Sequence, residues 1–166
     1  MNLFAGQNIY LPNELKEYFH RLCQTRVEGY RNRLEDSPFP RMVDLWFAGF
    51  CLAAKKNLAP SHVEPKQSYN AIEGNVFGSD NYRSDMMVLF CISKTGNLDI
   101  ITEPSKMLRL VNEYAISGVK EIIGVAIHSY RFDNHLRLHR WGHCQWRFYY
   151  RLLYRLRWLL YRLVKE

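Results

Sequence analysis

The sequence predicts a mainly α protein: a compact domain of about five helices, with room for a small β-hairpin, followed by a basic amphipathic helix at the C-terminus. Three observations predict it. Apolar residues recur at helical spacing through most of the chain. Pro, Ser, Thr, Asn and Gly fall where helices start and stop. From Arg147 onward, the chain sorts leucine and arginine onto opposite arcs of a helical wheel. A length of 166 residues, 48% of them hydrophobic and 23% charged, suits one folded domain with a short appendage.

Pro12 and Asn13 open a first helix predicted to run to about Leu34. Its stripe is Leu15, Tyr18, Phe19, Leu22, Cys23, Tyr30 and Leu34, with Glu14, Glu17 and Glu28 outward. Asp36-Ser-Pro-Phe-Pro40 breaks it, and Ser37 offers a cap for the next element. Met42 to Ala54 is apolar nearly all round except at Asp44, so it is the expected buried centre, with Arg41 before it and Lys55 and Lys56 after it. Asp44 on such a helix needs a basic partner, and Arg41 and Arg83 are the candidates.

Asn57 to Ser68 is polar, contains Pro60 and Pro65, and reads as a loop. Tyr69 to Phe77 is compatible with a short strand or an irregular approach. Asp80 or Ser84 can cap a third helix from Asp85 to about Lys94, which ends at Thr95-Gly96-Asn97. Leu98 to Ile101 reads as extended. A fourth helix starts at Thr102-Glu-Pro-Ser105, turns Met107, Leu108, Leu110, Val111, Tyr114, Ala115 and Ile116 inward, and ends at Gly118. Val119 to Ile127 is a fifth apolar stretch, helix or strand, in which Gly124 weakens the helical reading.

Charge divides the chain into a body, 1–129, and a C-terminal segment, 130–166. The body carries 14 basic and 14 acidic side chains, while the segment holds nine basic residues against Asp133 and Glu166, a local +7 that equals the charge of the whole protein. On the wheel, Leu152, Leu153, Leu156, Leu159, Leu160 and Leu163 share one arc with Tyr149. Arg147, Arg151, Arg155, Arg162 and Lys165 share the other, with Trp158 among them. The leucine arc can pack on the protein's own body, pair with a twin helix or dock a partner protein, through Leu152, Leu156, Leu159, Leu160 and Leu163. The arginine arc can grip phosphates. Arg140, Arg147, Arg151, Arg155, Arg157 and Arg162 are the candidate contacts of a nucleic acid, DNA in particular, with Tyr154 and Trp158 stacking or packing beside them. Peripheral binding to an acidic membrane is a third use of the same pattern. A spanning helix is disfavoured by the arginines between Phe148 and Val164.

Enzyme motifs are weak throughout. His135, His139 and His143 are spaced by four residues with Cys144 adjacent, yet no second cysteine pair and no His-Glu-x-x-His motif accompanies them. Glu64-Pro-Lys66 has the Glu-x-Lys spacing of metal-dependent nucleases, but its proline opposes the strand that such sites use. Asp80, Arg83 and Asp85 suit a capping and ion-pair network. Cys91 lacks a histidine near it in sequence that could activate a nucleophile. The phosphate-cradling and dinucleotide-binding glycine motifs are missing. No catalytic residue, metal ligand or cofactor is assigned. Cys23, Cys51, Cys91 and Cys144 are too widely spaced for a Cys-x-x-Cys pair, and the first three sit within apolar patterns. Buried reduced thiols are expected, and with no secretory pattern at the N-terminus the protein reads as cytoplasmic.

Arg41-Met-Val-Asp-Leu-Trp-Phe-Ala-Gly-Phe50 and Phe77-Gly-Ser-Asp-Asn-Tyr-Arg83, the latter followed by an apolar helix and Thr102-Glu-Pro-Ser-Lys106, form a pattern over roughly residues 39–125. It is similar to that of small helical proteins encoded beside bacterial DNA phosphorothioation and other phage-defence genes. The resemblance implies an accessory role with a DNA-processing complex, and it supplies no catalytic residues to carry over. It does not extend past His128, so the basic segment is argued from its own residues.

Overall fold

A computed structural model describes residues 3–24, 37–79 and 81–136, with the backbone alone at 79, 81 and 126–136. In chain order the elements are strand β1 (Asn8–Pro12), helix α1 (Lys16–Leu22), helix α2 (Met42–Lys56), strand β2 (Ser68–Glu73), helix α3 (Asn81–Thr95) and helix α4 (Pro104–Leu136). Short 3-10 turns join several of them. The fold is mainly helical, with four α-helices and one small sheet among the described residues. The chain divides into two units after Lys120, inside α4. The core below belongs to the first. In the second, Ile122 and Ile123 are buried while Gly124 and Val125 are exposed.

The antiparallel sheet is formed by β1 and β2, with α1 and α2 between them in the chain. Ile9 and Leu11 alternate inward from β1, and Ile9 pairs with Ile72 across the sheet. A register shift between Ile9 and Tyr10 twists the pair locally. Gly74 follows β2 and donates its N–H to the Gln7 carbonyl (2.7 Å), closing the end of the sheet.

Helix α1 ends at Leu22, far short of Leu34. Cys23 turns extended and forms a parallel bridge with Phe39. Gln24 N–H donates to the Phe39 carbonyl (2.9 Å), and Phe39 N–H to the Leu22 carbonyl (3.1 Å). A helical stripe continues in sequence past this point, but pairing with Phe39 takes the backbone groups that the next turn would need. The remainder of the predicted helix, 25–36, lies outside the described residues. Ser37 does not cap α2. Its hydroxyl donates to the Arg21 carbonyl (2.9 Å), and the carboxylate of Asp44 accepts the Arg41 N–H (2.9 Å) at the start of α2.

Helix α2 is the core, as its composition predicts: Leu45, Trp46, Phe50 and Ala53 are almost completely buried. Asn57 closes it in the left-handed conformation (φ 49°). Leu58 N–H then donates to the Ala53 carbonyl (3.0 Å), a wrap that satisfies the last carbonyls of the helix. The loop that follows is tied to α4, since Ser61 N–H donates to the Glu113 carbonyl (2.9 Å) and the Ser117 hydroxyl to the Ala59 carbonyl (2.6 Å). Edge-to-face rings lock α2, α3 and α4 together: Phe50 meets Phe90 at 5.0 Å, and Phe90 meets Tyr114 at 4.9 Å.

Three further expectations are corrected. Leu98–Thr102 is a 3-10 turn and not extended, because the Asn97 side chain accepts the Asp99 N–H (2.9 Å) and starts the turn. Gly118 does not end a helix: α4 runs through it, and Val119 to Ile127 continues the same element. Gly118 instead lies against the backbone of Gly49 on α2, where an added Cβ would strike the Gly49 carbonyl. The third helix is longer than expected at its start, opening at Asn81. No helix among the described residues is long and apolar enough to cross a membrane.

Candidate functional site

All the residues singled out for nucleic acid contact, Arg140, Arg147, Arg151, Tyr154, Arg155, Arg157, Trp158 and Arg162, lie outside the described residues. So do the interaction candidates Leu152, Leu156, Leu159, Leu160 and Leu163, together with His139, His143 and Cys144; His135 falls where only backbone is described. The structure therefore informs on the body that carries this segment.

Three polar constellations in the body could hold chemistry. In the first, Asp44 projects from the first turn of α2 toward α3. Its Oδ1 accepts from Arg83 (2.7 Å) and from the Arg41 Nη2 (2.9 Å), and its Oδ2 accepts from the Arg41 Nε (3.1 Å). The expected Arg41 and Arg83 partnership is present. The Arg83 guanidinium also lies over the Phe47 ring, 5.2 Å from its centroid. Partial burial would raise the Asp44 pKa, but the hydrogen bonds and charges of Arg41 and Arg83 outweigh it and hold the carboxyl below its ordinary 3.8. A carboxylate so occupied is a structural tie and a poor general base.

This tie has a pH signature. A carboxyl whose folded pKa is depressed contributes stability that is complete above the unfolded value and is lost as pH falls through the folded one. Asp44→Asn should lower stability at neutral pH by about 1–3 kcal/mol, since Arg83, its side chain only 16% exposed, would lose the carboxylate charge of Asp44. The difference from wild type should shrink as pH drops below 3.8, the ordinary value from which the Asp44 pKa is lowered. Thermal melts from pH 7 down to pH 2.5 read this directly, and a difference that stays constant with pH counts against the tie.

In the second constellation, Trp46 Nε1 donates to Asn112 Oδ1 (2.9 Å), and Asn112 Nδ2 donates to the Tyr10 carbonyl (2.7 Å). Asn112 is buried, so one side chain on α4 satisfies α2 and β1 together. The third is exposed: His62 Nδ1 stands 3.3 Å from Glu113 Oε1 beside the loop anchors described above. The Ser117 hydroxyl near this pair donates to the Ala59 carbonyl (2.6 Å) and the Glu113 carbonyl (3.3 Å). Burial pushes the Cys23 thiol up to about 12, with Asp44 adding to it. Burial also raises Cys91 to about 11, and Cys51 to about 11 against the opposing charge of Arg83. These three free thiols remain protonated and unreactive near neutral pH. Cys91 sits on the core side of α3 with its Sγ 3.7 Å from the Met107 carbonyl. Glu64-Pro-Lys66 leads into a 3-10 turn, Pro65–Gln67, in place of a nuclease strand. Among the described residues no group of three His, Cys, Asp or Glu could hold a metal ion.

One feature of the body was not read from the sequence. Helix α3 buries Met87 and Cys91 on its inner side, while Tyr82, Met86 and Leu89 are exposed on the other. The available signal was the unbroken apolar run Met86 to Phe90, too wide for one buried stripe on a helix of this length. No match to this chain is found among protein-family models, curated proteins or solved structures, so the functional reading rests on the chemistry of its own residues.

Proposed function

We propose that the chain is a non-enzymatic nucleic-acid-binding accessory protein, with DNA the favoured partner. Arg140, Arg147, Arg151, Arg155, Arg157 and Arg162 would meet phosphates, with Tyr154 and Trp158 against bases or sugars. A place beside DNA-modification or phage-defence machinery belongs to the same proposal. The observation that carries it is the segregation of charge, +7 in 130–166 against an evenly balanced 1–129. The body supports this reading by using its own cations locally. Arg41 and Arg83 serve Asp44, Lys120 meets Glu14 (2.8 Å), and Lys106 meets Glu103 (2.5 Å). A polyanion would thus find its uncompensated counter-charge in the C-terminal segment.

Binding of full-length protein to duplex DNA, titrated with salt, tests the proposal. Counterion release gives a log-log slope of about −0.9 for each phosphate neutralised. Arg151→Ala with Arg155→Ala should make the slope shallower by about 1.8, two such contacts. Affinity indifferent to salt, or to this double substitution, would overturn it. The same assay on Leu156→Asp with Leu160→Asp separates the leucine arc from the arginine arc: retained DNA binding with lost self-association assigns the leucines to a protein contact.

A further inference from the structure

We infer that the outer face of α3 is a self-association surface, taken by the same face of a second copy of this chain. The inference concerns the body and does not rest on the nucleic-acid reading. Tyr82, Met86 and Leu89 stand at i, i+4 and i+7, which places them within about 60° of one another on the helix. They are 48%, 39% and 63% exposed, although Met87 and Cys91 of the same helix are fully buried. Leu98 (68% exposed) and Ile101 (39%) belong to the 3-10 turn Leu98–Thr102, which packs against α3. A helix already anchored by one apolar side thus presents another to solvent.

Area and charge select the occupant. At roughly 200 Å² for a large side chain, these five expose about 500 Å² of mostly apolar surface, near the top of what a monomer ordinarily shows. Two such faces opposed remove about 1,000 Å² from water, the lower limit for a specific interface. The arc of Tyr82, Met86 and Leu89 continues to Ser93 without a charged residue, while the exposed carboxylates Asp85 and Asp99 stand at its margins. The balanced charge of residues 1–129 adds no net repulsion between bodies. A phosphate ligand would need cations that the arc lacks. An acidic membrane would need them along its border, where Arg83 is engaged with Asp44 and Lys94 with Asn57. An isologous two-fold pair also closes on itself and leaves no sticky surface behind.

Sedimentation velocity on the full chain across concentration tests this. The expected result is a reversible dimer with a dissociation constant on the order of micromolar, as a small interface gives. Met86→Asp with Leu89→Asp should weaken it by more than about tenfold while leaving the circular dichroism unchanged, because both side chains face solvent. Wild type that stays monomeric at about one hundred times that concentration overturns the inference. So does a dimer indifferent to the α3 substitutions, and its loss on Leu156→Asp with Leu160→Asp would move the interface to the leucine arc. As a check independent of added charge, Leu89→Cys treated with a bis-maleimide should give a cross-linked dimer above the background of the wild-type cysteines. Cross-linking at background overturns the assignment.

Discussion

Gly118→Ala is expected to destabilise the body by about 3 kcal/mol or more, lowering its thermal midpoint by about 6–12 °C. The cause is backbone against backbone. An alanine Cβ at 118 would strike the Gly49 carbonyl and stand only 3.0 Å from the Gly49 Cα; at 49 it would meet the Ala115 carbonyl at 2.6 Å and the Val119 N at 2.8 Å. A side-chain tip can swing away from such contacts, but here a helix must move. Parting α2 from α4 would also strain the ring chain Phe50–Phe90–Tyr114 and the Trp46–Asn112 bond. Gly124 lies on the same helix and supplies the control. No described atom lies within 4 Å of a Cβ there, so Gly124→Ala should be neutral or stabilise by about 0.5–1 kcal/mol through helix propensity alone. Equal midpoints for the two alanine variants would refute the close-crossing account. Gly49→Ala with Gly118→Ala should cost less than the sum of the single changes, because once the helices have parted the second Cβ meets less.

Asn112→Leu is the second large effect, at about 3 kcal/mol. Leucine has the same branching and heavy-atom count, yet it leaves the Trp46 Nε1–H and the Tyr10 carbonyl without the partners that Asn112 gives them. Each buried group so stranded costs about 1–3 kcal/mol. Trp46→Phe removes the donor from the other side of the bond. The double variant should therefore be less destabilised than the sum of the singles by about 1 kcal/mol or more. Strict additivity in chemical denaturation would show that the bond is not a source of stability.

These two sites show where local pattern stops being informative. Gly118 carried a stop signal because glycine after an apolar helical stripe commonly ends a helix, and nothing local reveals that another glycine will be pressed against it. Nothing local marks Asn112 as buried, because its burial depends on Trp46 and Tyr10, both remote in sequence. The Asp44 pairing was legible, since a carboxylate on an otherwise apolar helix requires a basic partner and Arg41 is three residues away. In strand β1, five residues alternating about Ile9 and Leu11 give too short a signal until β2 supplies the ladder. The double-faced nature of α3 was half legible, in that Met86 to Phe90 showed an excess of apolar side chains without saying which would turn outward.

The sequence by itself determined that the fold is mainly helical, that α2 is the buried centre, and that the net charge is confined to 130–166. These follow from residue type and spacing over a few turns, where propensity and amphipathic period act. Only the tertiary structure decided where α1 stops, that α4 continues through Gly118, which distant strands pair, and which side of α3 faces solvent. Each is settled by backbone hydrogen bonds or contacts between residues far apart in the chain, and such contacts override the preferences of any single stretch.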